Sequence, residues 1–139
     1  MKYLTDYTQE AQTALFKELG VFFAFSDKQF EEKKKPLTLY MNMGQGMVAP
    51  IVNADEVRRR LSEIYQAGIA ADLAENGKEA IIRRELNNYE CGYSQDITPC
   101  VDALVDYDIT EEEIMTQFRE ATKDHVWVNR KRLNSANYN

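Results

Sequence analysis

Residues 37–50 read LTLYMNMGQGMVAP, and within this segment the periodicity of the chain changes from helical to extended. Leu37 and Leu39 begin an alternation of apolar and polar side chains, which is the pattern of a half-buried strand. Gly44-Gln45-Gly46 predicts a tight turn, and the apolar residues that follow it predict a returning strand. Pro50 has no N–H to donate to a ladder, so we expect an edge strand there. The segment therefore predicts a β-hairpin.

Two helices are predicted before the hairpin. The first should begin near Asp6, with apolar residues at helical spacing after it. The apolar run at residues 21–25 fits either a buried strand or a helix, and we favour a helix that continues through Phe23. Ser26-Asp27-Lys28-Gln29 has the pattern of a capping box, which predicts a short second helix over residues 27–34.

The helices after the hairpin are predicted from the residues at their ends. Asn53 can cap a long helix, and Gly77 can end it, with a second helical segment following. Thr98 precedes a proline at the start of a short helix, and Thr110 forms a capping box with Glu113 at the start of the last one. The expected fold class is α+β, mostly α, with about five helices packed with one β-hairpin.

Length and composition predict one domain. The chain has 139 residues and is 44% hydrophobic, which is enough to bury a core without disulfides or metal. The segment after His125 contains Arg130, Lys131 and Arg132 but no acid. We expect a single globular domain over residues 1–125 and a basic, frayed tail over residues 126–139.

Charge and hydropathy exclude several classes of function. A net charge of −6 and a pI near 4.9 argue against direct binding to duplex nucleic acid, which needs many cations to neutralise phosphates. The longest apolar run, residues 19–25, is far shorter than the roughly 20 residues of a membrane span. Two cysteines are too few for a disulfide framework. We therefore expect a cytoplasmic protein that does not enter a membrane.

The sequence contains no strong catalytic or metal-binding motif. His125, Cys91 and Cys100 are the only soft metal ligands, and they lack the spacing of a zinc site. Nothing in the sequence orders His125 against Cys91 for nucleophilic catalysis. Gly44-Gln45-Gly46 is followed by Met47 rather than by a helix start, so it does not resemble a phosphate loop. We expect no metal, no cofactor and no enzymatic activity.

Two groups of residues are candidates for binding. The first is a candidate binding loop between two predicted helices, whose members are Tyr89, Glu90, Cys91, Tyr93 and Asp96. Its carboxylates can act as a base or hold a cation; alternatively, they cap neighbouring amides while the tyrosines close the core. The second is a candidate partner surface rich in phenylalanine: Phe22, Phe23, Phe25 and Phe30. Most of these rings should be core, and any that remain exposed mark a partner surface.

Residues 22–31 (FFAFSDKQFE), residues 88–96 (NYECGYSQD) and the cap at residues 109–112 carry a resemblance. Together they resemble a family of small uncharacterised proteins encoded in phages, prophages and mobile elements, including those of gut bacteria. The similarity spans most of residues 10–120. It implies an accessory role in an intracellular phage or mobile-element setting, and it transfers no activity and no site.

Three functions remain open from the sequence. The first is a non-enzymatic interaction protein that binds a protein partner through an apolar, aromatic-rimmed face. The second is an acidic mimic of nucleic acid, for which the available carboxylates are Asp102, Asp106, Asp108, Glu111, Glu112, Glu113 and Glu120. The third is a small enzyme or ligand binder that uses the candidate binding loop. Whether the chain forms a homo-oligomer also stays open.

Overall fold

The computed structural model of the chain describes residues 2–123, and these residues contain six helices and a three-stranded antiparallel sheet. The expected α+β, mostly α fold with a hairpin is confirmed. The described residues form two compact units, one up to Asp72 and one from Leu73 onward. The single domain over residues 1–125 stays a prediction, and His125 and the basic tail lie outside the described residues.

Helix α1 (Leu4–Leu19) opens the first unit. It begins before Asp6, whose carboxylate accepts a hydrogen bond from the Tyr3 N–H at 2.7 Å. It ends at Gly20, which adopts a left-handed φ of 72°. The helix predicted through Phe23 is therefore wrong: this glycine stops it, because the left-handed conformation is accessible to glycine at little cost.

The residues after Gly20 form the first of three short strands. These are β1 (Phe22–Phe23), β2 (Tyr40–Gly44) and β3 (Met47–Pro50), in the spatial order β1-β3-β2. The predicted hairpin is confirmed, but β3 is the central strand rather than an edge. It tolerates Pro50 because β1 pairs only with Met47 and Val48, so no ladder bond to β1 is required of Pro50.

The two-residue hairpin turn has the backbone conformation that a turn of this length requires. Gln45 and Gly46 are its two central residues, and both have positive φ, 53° and 81°. A type I′ turn requires positive φ at both positions, and its twist matches that of the flanking strands.

Each face of the sheet contacts one helix of the first unit. On one face, Phe22 and Tyr40 contact Phe30 of helix α2 (Asp27–Lys33), with ring centroids 6.0 and 5.7 Å away. On the other face, Phe23 meets Phe16 of α1 edge to face at 5.4 Å. The capping box predicted for α2 is confirmed in part: Ser26 Oγ accepts from the Gln29 N–H, but Gln29 Oε1 accepts from the Phe25 N–H rather than from that of Ser26.

Helix α3 (Ala54–Asn88) follows a single 3₁₀ turn, Ile51–Asn53. The Asn53 side chain donates to the carbonyl of Leu19 at 2.9 Å, so it satisfies the last turn of α1. Helix α3 approaches α1 closely at Gly68, where an added Cβ would lie 2.5 Å from the Cγ2 of Thr8. The predicted break at Gly77 is present, with a non-helical φ of 77° and ψ of 159°.

The second unit contains three further helices after the end of α3. They are α4 (Cys91–Ser94), α5 (Thr98–Ala103) and α6, which covers residues 111–123 of the described part. The cap predicted for α6 is confirmed in part, because Thr110 Oγ1 accepts from the Glu113 N–H at 3.1 Å. Ile109 and Ile114, which flank this cap, are both buried, as are Ile81, Ile82, Leu86 and Leu104 of the same unit. Over residues 2–123, no helix is long and apolar enough to cross a membrane.

Candidate functional site

The candidate binding loop is the single helical turn α4 between two residues in the left-handed conformation, Glu90 and Gln95. Glu90 and Tyr93 are exposed, and Tyr93 retains 91% of its accessible surface. Cys91 is fully buried beneath them. The structure therefore brings some of the predicted residues to the surface and removes the thiol from it.

Asp96 has a local structural partner. Its Oδ1 accepts a hydrogen bond from the Thr98 N–H at 3.0 Å, at the start of α5. This hydrogen bond favours the charged carboxylate and holds the pKa of Asp96 below its ordinary value. Asp96 thus caps a neighbouring amide, which is one of the two roles that the sequence allowed.

The two cysteines are both fully buried and both free. Burial raises the pKa of the Cys91 thiol, and the charge of Asp96 adds to the rise. Burial, together with the charges of Cys91 and Glu85, raises the pKa of Cys100 to about 12. Both groups are therefore protonated at neutral pH, whereas a nucleophilic cysteine must be a thiolate.

A cavity of about 760 Å³ lies beside α4 in the second unit. Glu90 contributes the one carboxylate among its lining residues, and Tyr93 contributes an aromatic ring. Its other lining side chains belong to Leu86, Asn87, Ala121 and Thr122, together with the backbone of Gly92. Among the described residues, no group of three or more His, Cys, Asp and Glu side chains is arranged to hold a metal ion.

The four phenylalanines of the candidate partner surface are not equivalent. Phe22 and Phe30 belong to a three-ring cluster with Tyr40, in which each centroid lies 5.3–6.0 Å from the others. Phe23 is half-buried against α1. Phe25 alone of the four is strongly exposed, with 74% of its surface accessible. Three of the rings therefore pack within the unit, and one faces solvent.

Phe25 borders a cleft that we name the aromatic cleft. It has a volume of about 600 Å³ and lies between the N-terminal end of α2, the hairpin turn and the face of the sheet that carries Tyr40. Phe25, Phe30 and Tyr40 supply its rings, and Asp27 supplies its only carboxylate. Sequence reasoning selected Phe25 and Phe30 but missed Asp27, which lies between them in the chain, and Tyr40, which the hairpin brings to them.

Sequence reasoning also missed an exposed apolar surface in the first unit, the apolar patch, formed by Leu37, Leu39, Ile51 and Val52. Leu39 and Val52 are 77% and 90% exposed. The Ile51 N–H donates to the Leu39 carbonyl at 2.9 Å, which holds the two chain segments side by side. The alternation at residues 37–41 suggested inward leucines, but β2 begins only at Tyr40. Pro36 and Pro50 lie beside these segments and cannot donate to a ladder, and they are the local sign of irregular pairing there.

The carboxylates considered for a nucleic-acid mimic are partly engaged within the chain. Glu113 lies 3.5 Å from the ammonium of Lys78, and Glu120 lies 2.9 Å from that of Lys123. The Lys123 hydrogen bond and charge lower the pKa of Glu120. Part of the acidic set is thus neutralised locally.

The model of a family described as "Family of unknown function (DUF7659)" matches residues 4–126. No curated protein and no solved structure matches the chain.

Proposed function

This chain belongs to the DUF7659 family, whose function is unknown, and we propose that it is a non-enzymatic protein that binds another protein through the apolar patch. The observation that carries this proposal is that exposed aliphatic side chains occur on two segments of the first unit that a backbone hydrogen bond holds side by side. Apolar surface gathered in this way is typical of interaction sites on soluble proteins.

The energetics of the patch favour a partner. Fully burying an aliphatic side chain such as Leu39 or Val52 contributes about 1.5–3 kcal/mol. Folding of the described residues does not gain this free energy, because both side chains remain largely exposed. A partner that covers the patch would recover it.

Leu37, within the patch, has an unusual backbone conformation. It has a φ of 61°, and a leucine in this left-handed region is an outlier. Its side chain is fully exposed, so packing of that side chain does not offset the strain. Strained residues of this kind gather at binding sites, where strain holds a side chain ready for its partner.

The experiment compares capture of a partner by three proteins. The tagged chain, its Leu39→Ser/Val52→Ser variant and a Val105→Ser control are each isolated from cells that produce the protein naturally. Val105 is an exposed aliphatic residue of the second unit, so its substitution changes apolar exposure without touching the patch. We expect the wild type and the control to retain the same partner and the patch variant to lose it, with thermal midpoints unchanged.

Two outcomes would overturn the proposal. A partner retained by the patch variant but released as ionic strength rises would favour the acidic mimic, because exposed charge pairs are screened by salt. A native mass that is a clean multiple of 16.1 kDa, reduced to the monomer in the patch variant, would assign the patch to self-association.

The setting of this function is part of the same proposal. We place the protein in the cytoplasm, which the two free cysteines support because a reducing compartment keeps thiols unpaired. We assign it an accessory role in a phage or mobile element on the resemblance of residues 22–31 and 88–96.

A further inference from the structure

The aromatic cleft has a composition that the apolar patch does not share. Its lining residues include three aromatic rings and the Asp27 carboxylate, and they include no lysine, arginine or histidine. The Asp27 carboxylate has no hydrogen bond or ion pair with any other residue in the described range 2–123. The cleft therefore combines ring surfaces with one uncompensated negative charge.

Two of the rings are held in place by their neighbours. Phe30 and Tyr40 meet edge to face, with centroids 5.7 Å apart, and each also contacts Phe22. The Tyr40 hydroxyl accepts a hydrogen bond from the Lys35 N–H at 2.9 Å, which fixes the far end of that ring. This side of the cleft is preformed.

The third ring is fixed in a different way. Phe25 lies directly on Gly46 of the hairpin turn, where an added Cβ would be 2.3 Å from its ring. Its own N–H donates to Gln29 Oε1 at 2.7 Å, and the preceding Ala24 N–H donates to the Gly46 carbonyl at 2.8 Å. The ring is thus positioned by the backbone on both sides, although most of its surface faces solvent.

The lysines of α2 and of its C-terminal cap do not pair with Asp27 within the described residues. Lys33 donates to the Phe23 carbonyl at 2.6 Å, and Lys34 pairs with Glu31 at 2.7 Å. Lys28 follows Asp27 in the chain but is not among the residues that line the cleft. A cation from outside would therefore meet no like charge among the lining residues.

We propose that the aromatic cleft binds a guanidinium group, such as that of an arginine side chain. Aromatic faces attract cations through their quadrupole, and a guanidinium is weakly hydrated and stacks well on rings. Its five N–H donors can also use the oxygens of Asp27, Ser26 and Gln45, which line the same cleft. An alkylated ammonium would use the rings but could donate fewer hydrogen bonds, which is why guanidinium is the better fit. This inference does not depend on the partner of the apolar patch.

The test is an NMR titration of the full chain with N-acetyl-arginine N-methylamide, followed through the backbone amides. We expect saturable shifts centred on Phe25, Gln45 and Gly46, with a dissociation constant in the millimolar range. The neutral isostere N-acetyl-citrulline N-methylamide should bind about tenfold more weakly, because it lacks the charge that rings and carboxylate recognise. Free L-arginine, titrated in parallel, distinguishes a peptide-borne side chain from the free amino acid as the natural source.

Two variants with one matched control locate the site. Phe25→Leu keeps an exposed apolar side chain but removes the ring, and Asp27→Asn removes the charge; each should weaken binding about five- to tenfold. Glu32→Gln removes the same charge from an exposed position of the same helix and should leave binding unchanged. Thermal midpoints confirm that all three variants fold.

Several results would overturn the proposal. Equal binding of the citrulline probe, an unchanged affinity in Phe25→Leu, or shifts centred away from the cleft would each exclude a guanidinium site here. A lack of saturation by the arginine probe would do the same. Tighter binding of tetramethylammonium than of the arginine probe would assign the cleft to alkylated ammonium groups instead.

Discussion

Replacing Gly68 by alanine should reveal how closely helices α1 and α3 approach each other in the first unit. The new Cβ would lie 2.5 Å from the Cγ2 of Thr8 and 3.3 Å from the Cδ1 of Leu4. Carbon atoms do not approach to 2.5 Å without displacement. Thr8 is itself buried, so it has little room to yield.

Two opposing effects set the magnitude. Overpacking a close contact costs about 1–3 kcal/mol. Alanine in place of glycine inside a helix returns about 1 kcal/mol through its higher helix propensity. We therefore expect Gly68→Ala to lower the free energy of unfolding by up to about 2 kcal/mol.

Thr8→Ser provides the matched partner variant. It removes only the Cγ2 methyl and keeps the hydroxyl, which contacts the Thr5 carbonyl at 3.5 Å. Alone, it should cost about 0.8 kcal/mol for the lost methyl. In the double variant the new Cβ occupies the space of that methyl, so the protein should be at least as stable as the wild type.

Urea denaturation of the four proteins, followed by circular dichroism, measures the cycle. We expect a coupling free energy of about 1–3 kcal/mol between the two substitutions. If Gly68→Ala alone stabilised the protein and its effect added to that of Thr8→Ser, the close approach of the helices at this point would be refuted.

Three further predictions concern other residues. Gly77→Ala should destabilise the protein by about 1–3 kcal/mol, because alanine disfavours the φ and ψ of this residue. The cost is one of backbone conformation, since nothing lies within 4 Å of the added Cβ. An unchanged urea midpoint would show that the helix tolerates a different geometry at this position. Glu85→Leu should lower the free energy of unfolding by about 3 kcal/mol, because it removes the carboxylate that lies 2.9 Å from the buried Arg84 guanidinium. Arg84 keeps its other contacts in this variant. Glu31→Leu removes a carboxylate from an exposed ion pair, so it serves as the control in urea denaturation and should change the free energy of unfolding little. The pKa of Asp96 in the folded chain is lower than its ordinary value of 3.8. The ionised Asp96 carboxylate therefore makes its whole contribution to the free energy of unfolding above pH 3.8, and this contribution is lost as the pH falls through the folded pKa. Thermal midpoints measured between pH 2 and 6 should therefore fall less steeply with acid in Asp96→Asn than in the wild type. An equally steep fall in both proteins would contradict this role of Asp96.

The elements predicted correctly are those whose signals are local. Ser26 with Gln29, and Thr110 with Glu113, lie within one helical turn of each other, so the capping pattern is visible in the sequence. The same holds for the hairpin turn, where a residue pair with positive φ connects two strands directly.

The errors came from residues whose partners are distant in the chain. Phe22 is a strand residue because it pairs with Val48, and an apolar run of this length fits a strand or a helix equally well. Leu39 is exposed because β2 begins after it, a boundary that depends on the pairing of Tyr40 with Pro50. Neither of these strand pairings produces a pattern within a short stretch of sequence from which it could be predicted.

The candidate sites show the same division. Phe25 and Tyr93 were chosen for their aromatic character and are exposed, whereas Cys91 was chosen for its chemistry and is buried by the core of the second unit. Asp27 was assigned only to a helix cap, and it reaches the aromatic cleft because the hairpin folds back beside α2.

The break at Gly77 has a consequence for how α3 forms during folding. Helix growth is cooperative once a first turn exists, but it cannot pass a residue whose backbone is not helical. The segments before and after Gly77 must therefore nucleate separately. The later one, residues 78–88, is shorter than the roughly 12–15 residues that an isolated helix needs to persist in water. Its helicity should depend on side chains such as Ile81, Ile82 and Leu86 finding their core, so this segment becomes helical only as the second unit collapses around it.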